Sequence, residues 1–450
     1  MPAFLDLSGP QVNAGLREED TIFALSSGAP PAGVAVIRIS GAGAPDAAEL
    51  MCGGLPEPRH ATLTDISHPR TGELLDRGLA LFFPAPASFT GEHVLELQVH
   101  GGRAVVGAIL TALGELDGFR LAEPGEFTRR AFHSGRMDLT EAEGLGDLVA
   151  AETAMQHRLA LGQMQGSARR QYEAWRSDLV RVRAMVEAEL DFSDEEGVAG
   201  SWVAVGRPAL EQVLGEMNAA LADASRGRAL REGAEVVISG PVNAGKSSLI
   251  NALAKREVAI VSEEAGTTRD LIEVALDLGG YRVTLVDTAG LRETEGLVER
   301  EGIRRARQRA GDADLVLWLS DHTGPAEPDG TFTAPVWRIR TKTDLGGLIA
   351  GGDHAISAAT GAGIPELLEA IRAFLAERLR SGESAVVTRL RHAKALAEAA
   401  DAIASALASS SSEILAEHLR AASDAIGRVT GRVEVDEILD VVFREFCIGK

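Results

Sequence analysis

The chain has 450 residues, the length of about three domains, and 45% of them are hydrophobic, which suffices for ordinary buried cores. Its formal net charge of −21 argues against broad, non-specific adhesion to nucleic acid or to anionic membranes. The two cysteines, Cys52 and Cys447, exclude a disulfide framework and a zinc cluster and are typical of a reducing compartment. No stretch is long and apolar enough to cross a bilayer, and residues 1–20 have the character of a disordered tail, so we expect a cytoplasmic protein without membrane contact.

Residues 21–137 alternate candidate strands and helices. A β-branched run at 34–39 follows a Gly/Pro-rich turn, and residues 94–100 alternate apolar and polar side chains as a half-buried strand does. A helical pattern covers 103–113, and a short strand candidate follows at 119–121. The sequence therefore predicts an N-terminal α/β domain.

The pattern then becomes helical. Thr140 and Glu143 have the spacing of a capping box, and helix formers continue from there to about Leu190. Gly162 and Gly166 are expected to divide this stretch into two helices. The sequence therefore predicts a helical domain after the α/β domain.

Helical segments flank a nucleotide-binding segment on both sides. They cover residues 207–230 before it and most residues after 384, where a serine run at 409–412 interrupts them. One domain inserted into another is an economical arrangement, because the two ends of a domain commonly lie close together. The predicted division is a tail at 1–20, an α/β domain at 21–137, a discontinuous helical domain at 138–232 and 381–450, and an inserted, doubly wound, Ras-like P-loop domain at 233–380.

Residues 240–247 read Gly-Pro-Val-Asn-Ala-Gly-Lys-Ser, a complete phosphate-binding loop of the GxxxxGK[ST] type. A β-branched run at 234–239 precedes it and a helix start at 248–253 follows it, which is the context that this motif requires. Backbone N–H groups of such a turn form a positive cradle for phosphate, while Lys246 reaches the terminal phosphates and the Ser247 hydroxyl ligates Mg²⁺. The sequence therefore predicts binding of a nucleoside triphosphate.

Two further segments predict the magnesium site. Asp287-Thr288-Ala289-Gly290 ends an apolar strand, so Asp287 is placed to hold Mg²⁺ through water and the Gly290 N–H to sense the γ-phosphate. Thr268 is suited to complete the Mg²⁺ shell when triphosphate is bound.

The base is predicted from Thr341-Lys342-Thr343-Asp344, which follows a strand candidate at 336–339. Asp344 can accept hydrogen bonds from the guanine ring N–H and amino group, a donor pair that adenine lacks. Lys342 can lay its alkyl stem along the base, and Ser357-Ala358-Ala359 can offer a backbone N–H to the guanine oxygen. The order of these segments predicts GTP, although Thr341 stands where GTPases usually place asparagine.

The catalyst of hydrolysis is not in its usual place. Leu291 follows Gly290, where Ras-like proteins carry a water-orienting glutamine, and no arginine finger is evident. Glu299 is the candidate for orienting water. Asn243 either helps to bind a monovalent cation that offsets charge between the phosphates or only stabilises the loop turn, and the sequence leaves both roles open.

Several runs are more specific than a phosphate loop. The most specific is the terminal Phe-Cys-Ile-Gly-Lys at 446–450, and Leu-Asp-Phe-Ser-Asp-Glu-Glu at 190–196 accompanies it. Further such runs lie at 33–41, 88–92, 95–97, 100–102 and 124–127. Over nearly its whole length the chain resembles the MnmE (TrmE) family of tRNA-modification GTPases.

The resemblance implies a homodimer formed through the N-terminal domain, which in this family binds 5-formyltetrahydrofolate. It also implies a flavoprotein partner similar to MnmG (GidA), which carries FAD, and tRNA as the substrate. The implied product carries an aminomethyl or carboxymethylaminomethyl group at C5 of the wobble uridine, with a one-carbon unit from tetrahydrofolate.

The implied folate contacts are Arg38, Glu96, Arg136 and Lys450. Arg136 stands where lysine is usual, which keeps the charge but changes the hydrogen-bond geometry. The residues alone favour a simple surface ion pair for Arg38 and Glu96.

For hydrolysis, the resemblance implies a K⁺ ion beside the phosphate loop, with Glu299 orienting the attacking water indirectly. The candidate catalytic residues are Lys246, Glu299 and Cys447, and for Cys447 a packed, inert thiol is an equal alternative. The implied metal ligands are Ser247 and Thr268 for Mg²⁺, and Asn243, Ser262, Glu264 and Thr267 for K⁺. The full nucleotide-site set is Asn243, Ala244, Gly245, Lys246, Ser247, Ser248, Ser262, Glu263, Glu264, Ala265, Gly266, Thr267, Thr268, Asp287, Thr288, Ala289, Gly290, Thr341, Lys342, Thr343, Asp344, Ser357, Ala358 and Ala359.

Two other classes of function stay open at this point. A ribosome-assembly or signalling switch GTPase would use the N-terminal domain only for dimerisation, and a nucleotide-dependent scaffold would hardly turn over. Tandem GTPase domains or a dedicated RNA-binding module would favour the switch, and neither is visible in the sequence. We therefore predict a K⁺-dependent GTPase subunit of a tRNA-modifying complex.

Overall fold

The structure is a computed structural model that describes most of the chain. The described residues are 20–191, 202–241, 243–256, 258–260, 273–287, 313–321, 332–346, 352–379, 385–433, 439, 442–443, 446 and 448–449. The chain divides into two compact units, residues 1–142 with 434–450, and residues 143–433.

A six-stranded mixed sheet forms the centre of the first unit. Its strands are β1 (Thr21–Leu25), β2 (Ala32–Ser40), β3 (Thr62–Ser67), β4 (Leu74–Phe83), β5 (Val94–Gly101) and β6 (Phe119–Leu121). They lie in the order β3-β4-β5-β2-β1-β6, with β6 parallel to β1 and the other pairings antiparallel. The strands predicted at 34–39, 94–100 and 119–121 are therefore confirmed.

Helices cover both faces of this sheet. The first two, α1 (Ala44–Cys52) and α2 (Arg103–Gly114), pack over one face, where alternate β5 residues such as Leu95 and Leu97 are buried. The third, α3 (Glu126–His133), brings Phe127 against the other face. Alternation along β5 thus sends apolar side chains to the α1–α2 core and polar ones to the opposite face, as the sequence predicted.

The remaining helices follow along the chain. They are α4 (Leu139–Ala150), α5 (Ala154–Met164), α6 (Ser167–Asp191), α7 (Arg207–Ala222), α8 (Ala224–Glu232), α9 (Lys246–Ala254), α10 (Ile364–Arg378), α11 (Leu390–Ala408) and α12 (Ser412–Thr430). A π-helical turn at Trp202–Gly206 leads into α7. No helix among the described residues is long and apolar enough to span a lipid bilayer.

The helical core of the second unit is built from α6, α7, α11 and α12. Tyr172 and Trp175 of α6 pack there with Leu396 of α11 and Leu419 of α12. Helices that precede the nucleotide-binding segment and helices that follow it therefore share one core.

A second six-stranded sheet carries the phosphate loop. Its strands are β7 (Ala234–Ser239), β8 (Glu273–Leu278), β9 (Tyr281–Asp287), β10 (Leu315–Ser320), β11 (Val336–Arg340) and β12 (His354–Ala355). They lie in the order β12-β11-β10-β7-β9-β8, and only the edge strand β8 is antiparallel to its neighbour. This order agrees with the predicted Ras-like P-loop fold, and it gathers the carboxyl ends of the parallel strands at one edge, where ligands bind in such sheets.

The predicted capping box at Thr140 and Glu143 is wrong. The cap of α4 is Asp138, whose Oδ1 accepts from the Glu141 N–H at 2.9 Å, while Glu141 Oε2 accepts from the Asp138 N–H at 2.8 Å. Because α4 begins at Leu139, Glu143 lies beyond the first turn and its side chain is free to bind elsewhere.

The predicted division of the helical stretch is partly confirmed. Gly166, with φ of 78°, separates α5 from α6, whereas Gly162 lies inside α5. A further break precedes α5, where Thr153 and Gln156 form a capping box that the sequence analysis missed.

Candidate functional site

The phosphate loop follows β7 and leads into α9. Its path requires positive φ at Gly240 (140°), Asn243 (64°) and Gly245 (91°). A Cβ on Gly240 would lie 2.2 Å from the Leu319 carbonyl oxygen of β10, so this position requires glycine. Asparagine tolerates the left-handed region better than most residues, which supports the turn-stabilising role for Asn243.

Lys246 is the first residue of α9 and is only 7% exposed. Its Nζ donates to the carbonyl oxygens of Gly240 and Pro241, at 2.8 Å each. Carbonyl dipoles stabilise a buried ammonium, and phosphate oxygens can replace them as stronger acceptors. The side chain therefore lies inside the loop that is expected to cradle phosphate.

Ser247 and Asp287 meet beside the loop. Ser247 Oγ donates to Asp287 Oδ2 at 3.2 Å, and Asp287 ends β9 in register with Ile238 of β7, with 1% exposure. A hydroxyl and a carboxylate oxygen at the N-terminus of α9 fit the oxygen ligands that Mg²⁺ takes together with phosphate and water. The pair therefore fits the predicted magnesium site.

Thr341 ties the base-reading segment to the phosphate loop. Its Oγ1 donates to the Ala244 carbonyl oxygen at 2.6 Å, and its backbone N–H donates to the Ser320 carbonyl oxygen at the end of β10. Threonine thus supplies one donor to the phosphate loop at the position where GTPases usually place asparagine. The replacement of asparagine by threonine therefore preserves a side-chain hydrogen bond to the phosphate loop.

Asp344 is oriented by a neighbouring hydroxyl. Ser357, which is fully buried, donates its Oγ to Asp344 Oδ1 at 2.6 Å, and the Thr343 N–H donates to the Ile356 carbonyl oxygen. Asp344 itself is exposed in a 3₁₀ turn, Thr343–Leu345. Ala358 and Ala359 follow in the turn after Ser357. The structure therefore joins the two segments that were predicted to read guanine.

Asp321 is a member of this site that the sequence analysis missed. It follows β10 directly, and its Oδ2 lies 2.9 Å from Lys342 Nζ. Lys342 has φ of 56°, so a left-handed backbone directs its side chain towards β10. An acid immediately after the apolar run of β10 was the available signal, because the carboxyl ends of parallel strands meet at one edge.

Several predicted site residues lie outside the described part of the chain. They are Ser262, Glu263, Glu264, Ala265, Gly266, Thr267, Thr268, Thr288, Ala289, Gly290, Glu299, Cys447 and Lys450. The water-orienting residue and most implied K⁺ ligands therefore stay predictions. The other cysteine, Cys52, is not a nucleophile at neutral pH, because burial raises the pKa of its thiol to about 11.

In the first unit, Arg38 and Glu96 face each other across β2 and β5. Arg38 Nε donates to Glu96 Oε1 at 2.9 Å, and the two side chains are 19% and 17% exposed. The guanidinium also lies over the rings of Phe89 and Phe127, with centroid distances of 5.2 and 5.7 Å. The ion pair is therefore present, and it adjoins one half-buried ring, Phe89, and one fully buried ring, Phe127.

Of the two other implied folate contacts, Arg136 is among the described residues and Lys450 is not, although its neighbour Gly449 is. Ser26 Oγ donates to the Gly449 carbonyl oxygen at 2.8 Å, and a Cβ on Gly449 would lie 2.1 Å from the Leu25 carbonyl oxygen, so the tail requires glycine there. Arg136 is exposed and packs its Cγ near Gly91, two residues from Phe89. The structure thus brings the described neighbours of Lys450 to the end of β1, the strand paired with β2.

Two other arginines of this unit are not available to a ligand. Arg120 and Arg130 both donate to Glu126 Oε1, at 2.6 and 3.1 Å, and Arg130 also donates to Glu92. Burial alone would raise the pKa of Glu126, but the hydrogen bonds and charge of Arg120 lower it below its ordinary value. The carboxylate is therefore ionised at neutral pH and neutralises the arginines around it.

Two family models match the chain. One, described as the MnmE helical domain, matches residues 139–447. The other, described as the N-terminus of the GTP-binding protein TrmE, matches residues 21–136. The longer match covers more than half of the chain.

Curated proteins named tRNA modification GTPase MnmE are similar to the chain over nearly its whole length. The Brucella suis protein is 52% identical over 435 residues, which cover 96% of this chain and 98% of the relative. The Rhizobium meliloti protein is 52% identical over 436 residues, with 96% and 99% covered, and the Bradyrhizobium sp. protein is 50% identical over 442 residues, with the same coverage.

Among solved structures, the G domain of the T. maritima FeoB iron transporter aligns with 31% of this chain and 98% of its own length, at 25% identity and a TM-score of 0.24. A TM-score this low carries no argument. The family-model matches and the identities over nearly the full length are sufficient by themselves to establish the family of the chain. The chain belongs to the MnmE family of tRNA modification GTPases.

Proposed function

We propose that this chain is the GTP-hydrolysing subunit of a tRNA-modifying complex. Its membership of a family of tRNA modification GTPases makes it a GTPase that takes part in tRNA modification. The observation that carries the GTP part is the hydrogen bond from Thr341 to the Ala244 carbonyl oxygen, because it joins the base-reading segment and the phosphate loop into one site.

Phosphate binding uses groups that are already gathered at the end of β7. The backbone N–H groups at the start of α9 receive the phosphates, and Lys246 exchanges the Gly240 and Pro241 carbonyl oxygens for phosphate oxygens. Ser247 would supply one ligand to Mg²⁺, and Asp287, which the Ser247 hydroxyl contacts, would hold the ion through water. When bound, Mg²⁺ neutralises charge on the transferred phosphoryl group.

Guanine selection depends on Asp344. Its Oδ1 is held by the Ser357 hydroxyl, so the carboxylate is oriented before the base arrives. Replacing Asp344 by asparagine should weaken GTP binding by about 1–3 kcal/mol and favour xanthosine triphosphate. An unchanged preference for guanine in a competition assay would remove Asp344 from this role.

Hydrolysis requires a substitute for the missing glutamine and arginine. We infer that Asn243, Ser262, Glu264 and Thr267 would hold K⁺, which would supply positive charge against the charge that develops between the phosphates, and that Glu299 would orient water indirectly. Turnover should therefore be stimulated by K⁺ and poorly by Na⁺. Equal rates in the two salts would exclude the cation mechanism while leaving GTP binding untouched.

The tRNA part of the proposal rests on the family. Its relatives are named for tRNA modification. We infer a cytoplasmic homodimer that binds 5-formyltetrahydrofolate at Arg38, Glu96, Arg136 and Lys450 and acts with an MnmG-like FAD protein on the wobble uridine of tRNA. The Arg38–Glu96 pair beside the half-buried ring of Phe89 supports the folate site, because a planar ligand could contact that ring and bond to the charged groups. The domain limits given above remain part of this proposal.

Nucleoside analysis of tRNA tests this function directly. Cells lacking the gene should accumulate wobble uridine without the C5 group, and expression of the wild-type chain should restore it, whereas Lys246→Ala should not. A normal wobble uridine profile in cells lacking the gene would favour a ribosome-assembly or signalling switch GTPase instead. Lys255→Ala, an exposed lysine after α9, is the matched control and should restore modification fully.

A further inference from the structure

Residues 153–172 carry no acidic side chain, although 66 of the 450 residues of the chain are Asp or Glu. The same stretch contains Arg158, Arg169 and Arg170, and it covers α5, the turn at Gly166 and the first residues of α6. In a chain with a formal net charge of −21, this stretch is a local reversal of charge. A polyanion that contacts this chain needs a local surface of this kind.

One side of α5 packs into its own unit. Ala160 and Gln163 are buried, and the Gln163 amide donates from Nε2 to Thr388 Oγ1 at 3.0 Å. On the same side of the helix, Gln156 donates from Nε2 to the Arg231 carbonyl oxygen at 2.8 Å. These contacts fix which side of α5 faces inwards.

The opposite side of α5 is exposed and basic. A helix advances by about 100° per residue, so Arg158 and Gln165 lie roughly opposite the buried side, and both are exposed, as is His157. Arg170, also exposed, donates from Nη1 to the Gln165 carbonyl oxygen at 2.8 Å. A second guanidinium therefore lies at the end of α5, where Gln165 is about 10 Å along the helix from Arg158. We call the set His157, Arg158, Gln165 and Arg170 the basic face of α5.

The arginines of this face differ from an arginine further along α6. Arg181 Nη1 lies 3.4 Å from Oδ1 of Asp178, three residues before it, so the helix offsets that charge locally. Arg158 and Arg170 form no ion pair with any residue that the structure describes. Their two charges are therefore not offset by an acid within the described part of the chain.

The two acids that border the acid-free stretch are engaged with other cations. Glu152, before α5, accepts on Oε2 from Arg282 Nε at 2.7 Å. Glu173, on α6, has its Oε1 2.8 Å from Arg432 Nε. The carboxylates closest in sequence therefore leave the positive charge of the basic face to an external anion.

Exposed guanidinium groups with an amide between them suit the phosphate backbone of a folded RNA. A guanidinium donates two hydrogen bonds to phosphate oxygens, and an exposed glutamine can donate to a phosphate or to a ribose 2′-hydroxyl. The face lies on the outside of a helix, so a small anion bound there would stay largely in water. A polyanion instead contacts several groups at once and releases its counterions. The chemistry of the face therefore favours a nucleic acid backbone.

We propose that the basic face of α5 is a contact surface for the phosphate backbone of tRNA, with Arg158 and Arg170 each neutralising one phosphate. The proposal rests on the proposed function for the identity of the RNA as tRNA. Backbone contacts fix the position of an RNA and carry no base information. tRNAs that differ only in the anticodon should therefore bind this face equally.

The test measures the affinity of the full chain for a fluorescently labelled tRNA at a series of salt concentrations. Each phosphate contact contributes about 0.7–0.9 to the slope of log affinity against log salt. The double variant Arg158→Gln with Arg170→Gln should therefore have a slope lower by about 1.5. Between about 50 and 200 mM salt, the wild type should lose about tenfold more affinity than the double variant.

Two controls separate the charge of the face from other effects. Arg158→Lys should keep the wild-type slope, because lysine binds phosphate as a point charge. The matched double control is Arg181→Gln with Arg183→Gln, which removes two arginines of α6 that Asp178 and Glu187 already pair, and it should leave the slope unchanged. GTP hydrolysis should stay within about twofold of the wild type in every variant, because no residue of the basic face belongs to the nucleotide site.

Three results would overturn the proposal. They are a wild type whose tRNA affinity does not depend on salt, a double variant that keeps the wild-type slope, and a matched control that lowers the slope as much as the double variant does. An acidic protein surface would be the true partner of this face if the double variant bound tRNA normally and bound the flavoprotein partner less tightly. Failure of the proposed function appears separately, as a normal wobble uridine profile in cells lacking the gene.

Discussion

The helical core and the phosphate loop each bury an ionised side chain, and they stabilise it in different ways. Glu143 in the helical core accepts hydrogen bonds from Arg391 and His392, side chains that carry or can carry the opposite charge. Among the described contacts of Lys246 in the phosphate loop are hydrogen bonds to two backbone carbonyl oxygens. Charges of opposite sign make a closed structural cluster, whereas carbonyl dipoles can be replaced by a stronger acceptor. We therefore expect the buried charge of Glu143 to stabilise the fold and the buried charge of Lys246 to bind a ligand.

The largest expected effect concerns stability in the helical core. Glu143→Gln leaves the Arg391 guanidinium without its carboxylate, and breaking a buried pair from one side costs about 3–5 kcal/mol. Urea unfolding should therefore show a lower midpoint, while the folded fraction should bind GTP with wild-type affinity. Glu187→Gln, which breaks the exposed Arg183–Glu187 pair on α6, should cost at most about 0.5 kcal/mol. Equal costs for the two variants would contradict the comparison.

The next effect is on binding and not on stability. Lys246→Ala removes charge-assisted bonds to phosphate that are worth about 3 kcal/mol, so GTP affinity should fall by about 100-fold. Because water can donate to the Gly240 and Pro241 carbonyl oxygens in place of Lys246, the urea midpoint should change little. Titration with a fluorescent GTP analogue measures the affinity, with Lys255→Ala as the control. An equally low urea midpoint for Lys246→Ala and Glu143→Gln would contradict the distinction between a ligand-binding and a stabilising buried charge.

These two residues also show what the sequence could and could not predict. The role of Lys246 follows from a motif whose parts lie within eight residues, and the strand and helix on either side of it were predicted for the same reason. Glu143 was assigned to a helix cap because only its local spacing was visible. Its partners Arg391 and His392 lie 248 and 249 residues further along the chain, and nothing local indicates that they share a core.

The same limit applies to the rest of the fold and the site. Strands β2, β5, β7 and β11 have clear apolar or alternating patterns, and each was predicted close to its observed bounds. The role of Asp321 depends on the neighbouring position of β10 and β11 in the sheet, which a local pattern does not contain. The hydroxyl bond of Thr341 to the phosphate loop likewise became visible only when residues 97 positions apart were brought together.

A smaller effect is expected at Thr341. Thr341→Val keeps the shape of the side chain and removes the hydroxyl that donates to the Ala244 carbonyl oxygen. A single neutral hydrogen bond is worth about 1 kcal/mol, so GTP affinity should fall about fivefold. Thr341→Asn keeps a donor at this position and should bind GTP within about twofold of the wild type. Isothermal titration of the three proteins decides, and an unimpaired Thr341→Val would show that the bond does not support the site.

The smallest expected effect is a pH dependence of stability that belongs to the helical core alone. Burial lowers the pKa of His392 below its ordinary value of 6.5, because desolvation of the cation outweighs the attraction of Glu143, and Arg391 and Arg389 oppose the charge further. The unfolded chain therefore takes up a proton near pH 6.5 that the folded chain refuses, so stability should fall as the pH is lowered through that value. Glu143, whose pKa the neighbouring cations hold well below 4.5 despite its burial, adds a further loss only in stronger acid.

Tyr172 also packs against His392, and burial raises the pKa of its hydroxyl, so that it stays neutral throughout this range. Between pH 7.5 and 5.5, the midpoint temperature of thermal unfolding should therefore fall more steeply for the wild type than for His392→Gln, which cannot take up the proton. Lys246→Ala should keep the wild-type slope, because the substitution leaves His392 and its partners unchanged. If the unfolding temperature fell equally with pH in the wild type and in His392→Gln, the buried imidazole would not be the group that lowers stability in acid. The pH dependence would then not distinguish the Glu143 cluster from the phosphate loop.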